Sequence, residues 1–161
     1  DTPLYEQQID ALLRLKSTVK RILLVYNPAH GTGLEKDRAQ LEQILHRKNI
    51  SLQAVEITHH TDIAQKVPGF LTNTDVVLVL TDNTVVSGID SLITLCNRYG
   101  VLLYASDLNS GDKGAALSFG VRQYDYGLIG AQLAKRIFEE KQLPSSIPVV
   151  TMDKQYLKIN T

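Results

Sequence analysis

Asp82 lies just past the apolar run Val76–Leu80, and Asp107 just past Val101–Ala105. A carboxylate at the end of a buried strand projects toward the space beyond the sheet edge. Two such acids, with no general base or nucleophile placed beside them, suit recognition of a cation better than catalysis. An ammonium is the natural partner, because a hydrogen bond between ionised groups is short and specific. Thr81, Asn83 and Thr84 flank Asp82 with hydroxyl and amide groups. Asp82, Asn83 and Thr84 also suit a helix start, and capping by one of them leaves the others free. A third polar segment, Asn27-Pro28-Ala29-His30-Gly31-Thr32-Gly33, follows the apolar run Arg21–Tyr26 and opens a helix. Lys and Arg do not line these loops. A ligand carboxylate would therefore meet backbone N–H groups, hydroxyls such as Thr32, or His30; the helix start after Gly33 has the right polarity for it.

Other chemistries fit less well. The dinucleotide pattern GxGxxG fails because Lys36 holds the third glycine position, although Glu56 stands where a ribose-binding acid would. The pattern GxxxxGK[ST] is absent. Asn27–Gly33 resembles the NPxxGxG opening of the diacylglycerol-kinase-like fold. That family's GGDGT nucleotide loop is replaced here by Leu80-Thr81-Asp82-Asn83-Thr84, whose side chains obstruct a closely approaching triphosphate. No G-x-S-x-G elbow exists, and Cys96 falls on an apolar helical stripe, which marks a small core residue. His30, His59 and His60 sit on two loops that should be neighbours, so zinc is conceivable. Adjacent histidines cannot easily aim the same way, and no acidic ligand is spaced to join them. They read as solvated or ligand-contacting side chains, and His46 as an idle group on a polar helix face. No cofactor is expected.

The elements that position these groups alternate. Thr2-Pro3 starts a helix carrying Tyr5, Ile9, Leu12 and Leu13 to about Leu15. Arg21–Tyr26, Leu52–Ile57, Val76–Leu80, Val101–Ala105 and Ala116–Val121 read as strands, with Pro148–Met152 as a further short candidate. Helices are expected from Leu34 to near Lys48-Asn49, from Asp62 until Pro68 breaks or restarts it, from Val85 through Cys96 to Gly100, and from Tyr124 to about Lys141. Strands apolar on both faces, alternating with helices, imply an α/β fold: a doubly wound, mostly parallel sheet flanked by helices. Ligands then lie in the crevice beyond the carboxyl ends of the strands. The loops starting at Asn27, Thr58, Thr81 and Ser106 all open there.

At 161 residues and 43% hydrophobic content the chain suits one domain. Seventeen basic residues balance seventeen acidic ones, which argues against nucleic acid or a polybasic membrane contact. No apolar run approaches the roughly 18–20 residues of a membrane span. A single cysteine cannot form an internal disulfide. Because it begins at Asp1 without a signal segment, the chain is expected to be part of a longer protein.

The succession Val19–Pro28, Thr81–Leu92, Tyr99–Asp107, Gly114–Gly120 and Tyr124–Ile137 resembles the ABC-transporter substrate-binding proteins of the aromatic-amino-acid type, with the type I periplasmic-binding fold. TDNT before a helix and the Tyr-x-Tyr-Gly helix opening carry it most specifically. The resemblance implies a non-enzymatic solute-binding component of an ABC importer, periplasmic or extracellular, with a lipid anchor as one means of holding the full-length form. Its partners would be a small molecule, an amino acid above all, and an ABC permease. Members have two lobes, and this chain resembles the second half. Residues 1–20 would be a leading helix, 21–120 the ligand-binding lobe, and 121–161 a crossover helix and tail packing on the other lobe. Without that lobe, the 124–141 helix would pack across a homodimer. Asn27, His30, Gly31, Thr32, Thr81, Asp82, Asn83, Thr84 and Asp107 would face the ligand, with Asp82 and Asp107 on an ammonium and Thr32 and Thr84 as hydroxyl contacts. The same lobe serves as a ligand-sensing domain in receptors and regulators. A transcription regulator also needs a DNA-binding headpiece, and no helix-turn-helix occurs in these residues.

Overall fold

The computed structural model describes residues 4–29, 32–152 and 154–160, the side chain of Thr32 apart. Helix α1 (Leu4–Leu15) precedes β1 (Arg21–Tyr26), α2 (Thr32–Arg47), β2 (Ser51–Glu56), the short helices α3 (Ile63–Lys66) and α4 (Pro68–Leu71), and β3 (Val76–Val79). Then come α5 (Asn83–Ser87), α6 (Ile89–Tyr99), β4 (Leu102–Ala105), α7 (Leu108–Lys113), β5 (Leu117–Gly120), α8 (Gln123–Phe138) and β6 (Tyr156–Ile159). The sheet order is β2-β1-β3-β4-β5-β6. Its first five strands are parallel and β6 runs antiparallel to β5. The expected doubly wound sheet is therefore present, and the strand expected at Pro148–Met152 is not. A strand needs a partner for its N–H and C=O groups, and the free edge of β5 is taken by Tyr156–Ile159.

Strand alternation explains why the apolar runs are continuous. Ile22, Leu24 and Tyr26 of β1 pack on one face with Ile9 and Leu12 of α1 and Leu41, Ile44 and Leu45 of α2. Leu23 and Val25 pack on the other with Ile63, Val67, Leu71, Ile89 and Leu92. Each of these residues is essentially fully buried, and burying one such side chain stabilises by about 1.5–3 kcal/mol.

The breaks follow local chemistry. Pro68 ends α3 and opens α4 as its first residue, where a missing N–H costs nothing. Gly100, at φ 65°, closes α6 in the left-handed conformation. The single helix expected from Val85 to Cys96 is divided at Gly88. A Cβ there would lie 2.7 Å from Ile63 Cδ1 and 2.9 Å from His60 Cβ, so glycine lets the segment after β2 press against the start of α6. Helix α8 contributes no buried residue, and Tyr124 and Phe138 are 71% and 72% exposed. No helix among the described residues is long and apolar enough to cross a membrane.

Asp75 fastens the start of the sheet. Arg21 Nη2 donates to its Oδ1 at 2.7 Å, while Lys20 N and Arg21 N donate to its Oδ2, both at 2.9 Å. The Arg21 guanidinium and the two N–H groups hold its pKa down to about 2, against the burial that would raise it. Asp62, which accepts from Thr58 N, His59 N and Thr58 Oγ1, is likewise lowered to about 2, chiefly by the Thr58 backbone N–H. Depressed acids contribute stability above their unfolded pKa of about 4, and that stability is lost as pH falls through the folded value. Urea midpoints should therefore decline from about pH 4 toward pH 2, and more shallowly in Asp75→Asn. Superimposable acid limbs for wild type and Asp75→Asn would remove Asp75 from this account.

Candidate functional site

The strand order reverses between β1 and β3, since the chain passes from β1 to β2 on one side and returns to β3 on the other. Ligands in open α/β sheets lie beyond the strand ends near such a point. Asp82 sits there, capping α5, and is fully buried. Its Oδ2 accepts from Asn27 N at 2.6 Å, and its Oδ1 from Thr84 N at 2.9 Å and Val85 N at 3.3 Å. It joins the ends of β1 and β3 and presents no surface to a ligand ammonium, which corrects the role expected of it. Asn27 Nδ2 donates to Thr84 Oγ1 at 2.9 Å, and Asn27 Oδ1 accepts from Ala29 N at 2.9 Å. Asn27 and Thr84 thus brace the same junction, while Thr81 and Asn83 are exposed. His30 and Gly31 lie outside the described residues, as does the Thr32 side chain.

A cavity of about 660 Å³ opens beyond the carboxyl ends of β3, β4 and β5, and Thr81, Ser106 and Asp107 are among its walls. Asp107 caps α7: Oδ1 accepts from Ser110 N at 2.8 Å and Oδ2 from Ser110 Oγ at 2.7 Å. Unlike Asp82 it is only partly buried and it faces this space. Ser106 is positioned from the far end of the chain. Gln8 of α1 is buried, its amide meets Ser106 Oγ at 2.9 and 3.1 Å, and its carbonyl accepts from Tyr104 Oη at 3.0 Å. The far wall comes from Val121, Arg122 and Tyr126 with Val150, Met152 and Gln155.

Arg122 brings a cation to the crevice from outside the polar loops, which carry none themselves. It arrives on the connection between β5 and α8, which is not one of the loops starting at Asn27, Thr58, Thr81 or Ser106. Its Nε donates to Asp125 Oδ2 at 3.2 Å, and its guanidinium carbon lies 4.1 Å from the centre of the Tyr156 ring. Gln155 was missed for a different reason: it reaches the cavity only through the course of the tail. Glu56 accepts from Tyr26 Oη at 3.1 Å, and Glu35 accepts from the same hydroxyl at 2.8 Å. The Tyr26 and Arg38 hydrogen bonds lower the pKa of Glu35. Cys96 is buried, which pushes its thiol up to about 12 and leaves it inert at neutral pH. His59 and His60 are exposed, and among the described residues no three His, Cys, Asp or Glu side chains converge as metal ligands.

Solved structures share this architecture. The chain matches a conserved domain protein from Vibrio cholerae with a TM-score of 0.83 at 24% identity, over 96% of this chain and 52% of that one. It matches an ABC domain in complex with L-Trp from Streptococcus pneumonia with the same TM-score at 18% identity, over 98% and 52%. The fold is that of type I periplasmic-binding-like proteins. Residues 1–161 match the family of ABC transporter substrate binding proteins, and the chain belongs to that family, whose members bind substrates rather than transform them. It is 26% identical over 157 residues to a tyrosine-binding protein of Clostridioides difficile, covering 94% of this chain and 45% of that one. The chain spans about half the length of the curated relatives it matches.

Proposed function

We propose that this chain is the ligand-binding lobe of the extracytoplasmic solute-binding component of an ABC importer, not an enzyme, and that its ligand is an amino acid or a similar small molecule. The observation that carries this is the cavity beyond the carboxyl ends of β3, β4 and β5, where Asp107 and Arg122 stand among apolar side chains, in a chain whose family binds transported substrates. Relatives that bind tyrosine and L-Trp favour an amino acid. Asp107 is the ammonium partner, and Thr81 and Ser106 offer hydroxyls beside it. Residues 21–120 form the lobe. Residues 121–161 serve as a crossover helix and tail packing on a second lobe, in keeping with the half-length match and with α8 burying none of its residues. In the isolated chain, α8 would cover its apolar side against a second copy, and a monomer in light scattering at high concentration would refute that. A permease is the partner of the full-length protein.

Thermal shift against the twenty amino acids, and against nucleotides with magnesium, tests the reading. A ligand at a hundredfold excess over its dissociation constant adds about 2.7 kcal/mol to the folded state. An amino-acid shift is expected; a nucleotide shift would move the chain to the kinase-like alternative. Asp107→Asn should abolish the amino-acid shift with little change in the unliganded midpoint, because Asn also caps helices well. Equal losses of melting temperature and of ligand response would make Asp107 structural.

A further inference from the structure

We propose that Arg122 is the carboxylate partner of the ligand, so that the cavity selects zwitterions, with Asp107 on the ammonium and Arg122 on the carboxylate. This deepens the amino-acid reading above and rests on it. Among the described residues lining the cavity, Asp107 is the one anion and Arg122 the one cation. A simple amine would match only the first, and a simple acid only the second. Both charges are set by adjacent strand ends. β4 and β5 pair at Ala105 and Ser118, and at Gly120 a Cβ would come within 3.6 Å of Asp107 Cα.

Each group is held by the protein while keeping capacity for a ligand. Ser110 orients the Asp107 carboxylate with one bond to each oxygen, and a carboxylate oxygen accepts more than one. Arg122 uses Nε and Nη2 on Asp125, and Nη2 also meets the Tyr156 hydroxyl. Its Nη1 carries two donors without a partner among the described residues. Asp125 offsets part of its charge from below, and Tyr156 fixes the plane of the guanidinium. Leu108, Val121, Tyr126 and Met152 complete the lining and suit an apolar or aromatic side chain.

The test is calorimetric titration of the 161-residue chain with L-phenylalanine, L-phenylalaninamide and 3-phenylpropionate, at about pH 6 where both amines are charged. The amino acid should bind at least about tenfold tighter than either analogue, since a site built for a charged group discriminates against its loss. In Arg122→Gln the preference for the acid over the amide should fall to within about twofold while the preference over 3-phenylpropionate persists. Arg122→Lys should restore the acid preference, which a merely structural role would not predict. If Arg122→Gln still prefers the acid tenfold, Arg122 is not the carboxylate partner and the amino-acid reading stands. If wild type binds none of the three probes, the zwitterion proposal is overturned. If a nucleotide with magnesium binds instead, the amino-acid reading falls with it.

Discussion

Replacing Asp82 with alanine should destabilise the protein by about 3–5 kcal/mol, because it strands the three backbone N–H groups that the carboxylate receives in a fully buried position. Two of those groups, on Thr84 and Val85, belong to the first turn of α5, where no intrahelical partner exists. The third, on Asn27, lies one residue past the end of β1, so the loss also unfastens the junction at which the strand order reverses. Against a total stability of about 5–15 kcal/mol this is a large fraction. Asp82→Asn keeps one acceptor but turns an amide N–H₂ toward backbone donors, and should recover only part of the loss. Urea denaturation with an unchanged slope would measure it. A cost below about 1 kcal/mol for the alanine variant would mean water replaces the carboxylate and the buried junction is not as described.

Gly111→Ala should destabilise by about 2–3 kcal/mol through overpacking between α7 and the sheet. An added Cβ runs into Ser118 Oγ, with Lys158 Cδ at 3.1 Å and Ser118 Cβ at 3.2 Å. Ser118 is fully buried and its hydroxyl has no partner among the described residues, so Ser118→Ala alone should be neutral or stabilising. The double variant should then recover at least about 1 kcal/mol of the Gly111→Ala loss, which a double-mutant cycle reads directly. Additivity of the two single changes would show that the strain comes from Lys158 or from the helix backbone, not from the serine. Leu108 and Asn109 ride on the same helix as Gly111 and Asp107 caps it, so this contact also sets the cavity wall.

Much of the architecture was legible because it depends on short-range chemistry. Continuous apolar runs could only be strands covered on both faces, Pro68 had to interrupt a helix, and Gly100 had to end one. The division at Gly88 was not legible, since it needs Ile63 and His60 pressed against the backbone. Nor was the sixth strand. Tyr156–Ile159 and Pro148–Met152 are both plausible extended segments, and only the free edge of β5 chooses between them.

The sequence alone determined the class of fold and the two acids that follow β3 and β4 at the carboxyl edge of the sheet. Tertiary structure decided which of two carboxylates with the same local signature faces the cavity. Both cap short helices after strands. Asp107 receives its bonds from Ser110, three residues away, whereas Asp82 also receives one from Asn27, fifty-five residues away across the sheet. Local spacing carries no trace of that distant N–H, nor of the return of the tail that sets Gln155 and Tyr156 beside Arg122. Helix and strand tendencies act between near neighbours along the chain, but burial and hydrogen-bond partnership are settled by segments that meet only once the sheet has formed.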